Sequence, residues 1–450
     1  MNLDTCKRAA SVFFLITLFI MAIEGVSRLT VVDIDEIKFG YSFTEWVINY
    51  SGGFVRRGFV GQILSYSNSE MIVPTVNIFV MLLYTANLIM ANVLVKKAFN
   101  SYFICVLVML APAGLVQMAI MVDPDYCFAR KEMLFFLFST YCTFRTITNY
   151  QFTRSIVGTA AKNRRGYFFF GEICVFTIVA ILIHEAFVFF SVPLLVVILC
   201  LNSHIFNLRY RTTLLLGYTL LVMGMTVLMA SNHGTPEIAR GILESLPNSI
   251  KLNEGFESHA IDFLGWTFDH QIGTVVDEVK PRMIILVTSA IPVTIIYLCC
   301  FPIVCRRISG VAESNINPLL LGLGAFMFMT VSTSPILFGI DWNRWITSIV
   351  IHSLDLIIIL SVVKTEDLLN AIVPVRGQAA FNSLKENLSV CSKISNSTIV
   401  LSALILLMIW IGVNFQVADC CERFIDYHGA FNYFDSLSFI WSAITTHLSP

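Results

Sequence analysis

Between Ile72 and Val95 the chain reads IVPTVNIFVMLLYTANLIMANVLV and then stops at Lys96-Lys97. No charged residue interrupts this run. As a helix rising 1.5 Å per residue it covers about 36 Å, enough to cross a hydrocarbon layer of about 30 Å. Comparable runs recur at 11–27, 102–122, 132–149, 168–183, 186–203, 212–230, 283–304, 317–337, 346–363 and 398–417. The pattern predicts an all-α integral membrane protein, one polytopic domain over 1–450 with about eleven transmembrane helices.

Composition points the same way. The chain is 56% hydrophobic and 13% charged, with a mean hydropathy of +0.77, where soluble domains carry about 25% charged residues. A net charge of -1 over 450 residues speaks against a nucleic-acid partner. The 12 cysteines are scattered and show no metal-ligand spacing. A first apolar run preceded by Lys7 and Arg8 resembles a secretory leader, but it ends in Glu24 and Arg28 without a small-residue cleavage pattern. It is therefore expected to stay as the first span.

Basic residues set the expected orientation. Lys96, Lys97, Arg164, Arg165, Arg209, Arg211, Arg306 and Arg307 fall in alternate loops, and most of the 29 basic residues share that side. Under the positive-inside rule the N-terminus lies inside and the C-terminus outside. His184-Glu185 is the sole break between two apolar runs. With basic clusters on both flanks, the region reads as a tight hairpin. The outer segments are then 28–71, 231–282 and 418–450, with short surface helices in the outer loops, and 364–397 is the long inner one. Phe43–Ile48 is apolar enough to lie on the membrane surface, with Trp46 and Tyr50 at headgroup level.

The densest polar motifs all fall on the outer side. In Gly52-Gly53-Phe54-Val55-Arg56-Arg57-Gly58, glycines allow close backbone approach and free N–H groups, and the arginines supply permanent charge for phosphate. The other reading is a turn before a helix, with two arginines reaching to headgroups. Asp33, Asp35 and Glu36 follow the first span, where a carboxylate either takes the proton of an attacking hydroxyl or solvates a helix end. Asp123, Asp125, Arg130, Lys131 and Glu132 form a compact turn of both signs. They either pair with one another or, through Arg130 and Glu132, meet a ligand at the bilayer surface.

His184 and Glu185 are ionisable groups between two apolar half-hairpins, candidates for catalysis or for a hydrated cap. Asp341 and Arg344, three residues apart and flanked by Trp342 and Trp345, share a helix face able to take a sugar and its phosphate. His352 and Asp355, one turn apart in the tenth span, read as a pair joined by an internal hydrogen bond. The Gly-x-x-x-x-Gly-Lys-Ser/Thr phosphate loop is absent.

An acidic outer loop directly after the first span, arginine motifs gathered on the outer face and about eleven spans together resemble a known architecture. It is that of the polyprenyl-phosphate-dependent glycosyltransferases of the GT-C superfamily. The pattern is also similar to the O-antigen polymerases of Gram-negative bacteria. The resemblance implies a multi-pass bacterial inner-membrane enzyme that transfers polyprenyl-linked (undecaprenyl-type) sugars in lipopolysaccharide-type polysaccharide assembly. It gives the catalytic acid to Asp33, Asp35 or Glu36, and lipid-phosphate binding to Arg56, Arg57, Arg130 and Arg344. The expected partners are a polyprenyl-linked sugar or oligosaccharide, membrane lipid and other glycan-assembly membrane proteins. No cofactor is evident, and the need for a divalent metal is left open. The other readings are a GT-C-like transferase of single sugars and a transporter or flippase of lipid-linked glycan.

Overall fold

A computed structural model describes residues 41–112, 130–155, 159–251, 256, 258–266, 273, 291–310, 317–332, 342–364, 367, 371 and 398–414. The described residues form helices and connecting turns, with no strand among them. Two short helices come first, α1 (Tyr41–Val47) and α2 (Gly58–Leu64). Next are α3 (Ile72–Phe99), α4 (Tyr102–Met109), α5 (Glu132–Ser155), α6 (Thr159–Ile183), α7 (Val192–Ile205) and α8 (Arg211–Ser231). A small helix, α9 (Pro236–Ser245), lies in the following loop, and α10 (Ile291–Ser309), α11 (Pro318–Ser332), α12 (Trp342–Val362) and α13 (Thr398–Asn414) follow, with single helical turns at Phe187–Phe190, Asn248–Lys251 and His259–Asp262.

Among the described residues five helices are long and apolar enough to cross a membrane: Ser69–Phe99, Ala161–Ile183, Arg211–Ser231, Ile291–Ser309 and Trp345–Val362. Val192–Ile205, Pro318–Ser332 and Ile399–Gly412 are shorter apolar helices. The chain is thus a helical protein with the character of a membrane protein. The proposed first span, the segment 28–40 and the tail 418–450 lie outside the described residues.

The core is built on α12 and α5. Of the apolar window of α12, 89% is buried, and the helix packs against α3, α5, α10 and α11. Small polar residues make that closeness possible. Ser348 and Ser353 on α12 and Ser139, Thr143 and Thr146 on α5 are all fully buried, letting backbones approach as in other membrane bundles. Polar crosslinks supplement this packing: the Asn87 amide donates to the Met133 carbonyl (2.7 Å), and Asn202 donates to the Thr146 hydroxyl (2.9 Å). By contrast α8 is peripheral, with Leu216, Leu220, Met223 and Val227 all more than half exposed. A row of that kind suits contact with lipid.

The break at His184-Glu185 is a reversal. Helix α6 ends at Ile183 and a short turn of helix, Phe187–Phe190, leads into α7. Gly166 near the start of α6 stands against Phe206 and Leu208 just beyond α7, so the two helices run antiparallel. One expectation for the first outer segment is corrected. Phe43, Trp46, Val47 and Ile48 are buried within the protein, Trp46 to 1% exposure, instead of resting on the bilayer surface. The physical reason is the charge in the same helix: Glu45 finds its cationic partners inside the bundle, and α1 follows it there.

Candidate functional site

The turn between α1 and α2 is built from local hydrogen bonds. The Asn49 side chain accepts from the Ser51 N–H (2.9 Å), Gln62 accepts from the Tyr50 N–H (2.9 Å), and the Gly53 N–H donates to the Tyr50 carbonyl (3.0 Å). Gly53 sits at φ 127, a conformation that favours glycine. A Cβ on Gly52 would collide with the Ile238 backbone of α9, and one on Gly241 would meet the Gly52 Cα. These two glycines therefore serve packing of the loop helix onto the turn. The Gly53 N–H, expected from the sequence to face a ligand, is spent within the turn.

Arg57 follows in the left-handed region, φ 66 and ψ -1, at a cost of roughly 1–2 kcal/mol for a residue with a side chain. The reward is electrostatic. Its Nε and Nη2 reach the Glu185 carboxylate at 3.0 and 2.6 Å, and its Nη1 reaches Glu45 Oε1 at 2.8 Å. Arg56 Nη1 approaches Glu185 Oε1 at 3.2 Å. The Arg56 guanidinium also stands 5.7 Å from the centre of the Phe263 ring, and the Arg56 backbone N–H donates to the Asn232 carbonyl (2.9 Å), so the loop after α8 covers this turn.

His184 stands beside these charges. Its Nδ1 accepts from the Ala186 N–H (3.1 Å), which in the neutral tautomer leaves the proton on Nε2, 3.7 Å from Glu45 Oε1. From the start of α5, Lys131 enters with no exposure at all. Its Nζ donates to the Arg57 carbonyl (3.3 Å) and contacts the Ile183 carbonyl (3.5 Å), with the Trp46 ring 5.7 Å away. Neighbouring Arg130 and Glu132 are 2% and 1% exposed, so Arg130 turns into the protein and not along the bilayer surface. Glu132 also opens α5, where the helix dipole favours a carboxylate.

Burial by itself would raise the Glu185 carboxyl, but Arg57, His184 and Arg56 together hold it well below the usual carboxylate range. Glu185 is thereby a fixed anion, suited to orienting arginines and poorly suited to taking a proton. Burial, aided by Arg57, lowers the Lys131 ammonium to about 8 against the pull of Glu45, Glu185 and Glu132. Among these groups Arg56 and Glu185 keep the most access, with side chains 16% and 21% exposed. The arrangement can bind an anion beside fixed, desolvated positive charge.

The structure thus joins three sequence motifs, 52–58, 130–132 and 184–185, at one end of the bundle. Phe190 packs edge-on to Trp345 at 4.6 Å, placing the start of α12 at the same end. Trp342 and Arg344 begin that helix, but their side chains, together with Asp341, Asp33, Asp35, Glu36, Asp123 and Asp125, lie outside the described residues. Glu45 and Lys131 are the members of the centre that sequence reasoning missed as site residues. The available signal was a carboxylate inside the apolar stretch Phe43–Ile48, where an unpartnered charge would be costly. The internal bond expected between His352 and Asp355 is replaced by bonds to other residues. His352 meets Ser139, Ser191 and Ser348, and Asp355 accepts from Thr140. Among the described residues no three His, Cys, Asp or Glu side chains converge as a metal site.

No protein-family model, no curated protein and no solved structure matches this chain.

Proposed function

We propose that this protein is a multi-pass enzyme of the bacterial inner membrane that transfers glycosyl units between polyprenyl-linked sugars on the face turned away from the cytoplasm. In this reading it is the polymerase of repeat units in O-antigen-type polysaccharide assembly, with eleven spans, N-terminus in and C-terminus out. One observation carries the reading: Arg56 and Arg57 converge on Glu45 and Glu185, with Lys131 bound to the Arg57 carbonyl beside them, at a single end of an apolar helical bundle. Cations outnumber carboxylates among these five groups. That end is where the phosphate of a lipid whose tail lies in the bilayer would stand.

The division of labour follows from the contacts. Arg57, bridging Glu45 and Glu185, positions the centre. Arg56, more accessible and stacked toward Phe263, is the group that meets the phosphate. As the glycosidic oxygen leaves with its phosphate, the developing negative charge is offset by Arg56 and by the buried field of Lys131, and Arg344 at the start of α12 is assigned to the second lipid phosphate. Deprotonation of the acceptor hydroxyl belongs to Asp33, Asp35 or Glu36, or to His184, because Glu185 is held as an anion by its arginines. Direct displacement with inversion needs one such base.

The test is glycan length and composition in cells lacking the gene, complemented at matched protein levels with wild type, Arg56→Ala, Arg57→Ala, Asp35→Ala or Arg344→Ala. Loss of long chains with one repeat unit retained is the expected result for Arg56→Ala. An unchanged length distribution missing one sugar would replace the polymerase by a single-sugar transferase. Wild-type glycan in the deletion strain would sink glycosyl transfer altogether and favour transport.

A further inference from the structure

A second polar centre lies within the apolar body of the protein, away from the charge cluster. Asp355 stands ten residues after Trp345 and seven before Val362 in the apolar window of α12. At 1.5 Å per residue it is about 15 Å and about 10 Å from the two ends of that window, the depth of a bilayer interior. Asp355 is 3% exposed. Its Oδ2 accepts from the Thr140 hydroxyl of α5 at 3.1 Å, and among the described residues it forms no ion pair.

The carboxyl borders a cavity between α3, α4, α5 and α12. Apart from Thr140 the other walls are aliphatic, among them Ala91, Leu94, Val95, Val108 and Ile358. The buried titratable side chains near it on these helices are the Cys142 thiol on α5, the Cys105 thiol on α4, which donates to the Asn92 side chain, and His352 on α12 itself. His352 is engaged elsewhere. Its Nδ1 lies 2.7 Å from the Ser348 carbonyl, an acceptor only, and its Nε2 lies 2.9 and 3.1 Å from the Ser139 and Ser191 hydroxyls. The cations on these helices are Lys96 and Lys97 at the end of α3 and Arg145 and Arg154 on α5, and none pairs with Asp355 among the described residues: Lys96 donates to the Tyr102 hydroxyl (2.6 Å), and Arg145 is held by Tyr141 and Glu172.

A carboxylate in apolar surroundings needs a cation, and buried charges without one are costly enough to be rare and functional inside membranes. An aliphatic cavity offers no ligands with which Asp355 could share a metal ion. The smallest cation, which needs only the carboxylate and the Thr140 oxygen, fits. We propose that Asp355, with Thr140, is an intramembrane proton-binding site opening on the cavity between α3, α4, α5 and α12. It gives the protein a group able to take up and release a proton at the depth of the bilayer, and it does not depend on the glycosyl-transfer reading.

The test uses the full-length protein in lipid nanodiscs. The infrared spectrum at neutral pH is expected to carry a carboxylic-acid C=O band that shifts on deuterium exchange and is lost in Asp355→Asn. Dicyclohexylcarbodiimide, an apolar reagent that partitions into lipid, locates the acid. The carboxyl proton passes to a carbodiimide nitrogen, the carboxylate oxygen adds to the central carbon, and rearrangement leaves an N-acylurea that contains the whole reagent. Peptide mass spectrometry is expected to find this adduct on Asp355 at neutral pH and to see it fall as pH rises. If Asp355→Asn fails to fold, the wild-type band and its loss on carbodiimide treatment give the assignment. Absence of the band in wild type at neutral pH overturns the proposal whether or not the reagent enters. A band that survives Asp355→Asn, or survives modification of Asp355, overturns it too.

Discussion

Arg57 holds two carboxylates that come from elements far apart in sequence, Glu45 twelve residues before it and Glu185 128 residues after. Removing one partner of a buried pair strands the other charge, a loss of about 3–5 kcal/mol. Arg57→Ala is therefore expected to lower the thermal midpoint of the purified protein sharply. Arg57→Ala combined with Glu185→Ala should cost less than the sum of the two single changes, since the stranded anion is gone. Acid acts on the same pair. Because the Glu185 carboxyl is held below its ordinary value in the folded protein, its stabilisation is present above the unfolded carboxylate value and disappears as pH falls through the folded one. Lys131 behaves oppositely at the alkaline end. It releases its proton near 8 when folded and near 10.5 when unfolded. Between those values the unfolded chain binds more protons, and stability rises with pH. Thermal melts of wild type against Lys131→Met from pH 7 to 10.5 should show wild type gaining up to about 3 kcal/mol relative to the variant.

At the scale of elements, glycines distinguish contact from open surface. Gly61 on α2 stands so close to Ile48 that a Cβ would overlap its carbonyl oxygen, whereas Gly171 on α6 has open space around its missing side chain. Gly61→Ala must push α2 away from the end of α1 and is expected to destabilise by about 1–3 kcal/mol. Gly171→Ala should be neutral or stabilise by about 0.5–1 kcal/mol, as in an unobstructed helix interior. Thermal unfolding of the two variants side by side tests the packing of α1 and α2 that carries Glu45 and Arg57 to the centre. The apolar runs themselves were readable as elements: the run at 72–95 became α3 and that at 212–230 became α8, each within a few residues of its expected limits. Helix α1 was read as an element of the surface and lies inside, because hydrophobicity alone does not say whether lipid or protein will cover an apolar face.

At the scale of the whole molecule, the proposed orientation places Ser51 and Asn207 on opposite sides of the membrane, and both are exposed. In a background without reactive native cysteines, Ser51→Cys should react with a membrane-impermeant maleimide added to spheroplasts. Asn207→Cys should react only after the membrane is opened. Labelling of both from the same side would overturn the eleven-span topology. Hydrocarbon length is a one-dimensional property, and so the helical, membrane character was already written along the chain. The joining of Glu45, Arg57, Lys131 and Glu185, and the isolation of Asp355 beside Thr140, were settled only by tertiary structure. A buried charge takes its partner from whichever helix end packs nearest, and packing between distant segments leaves no period or spacing in the sequence.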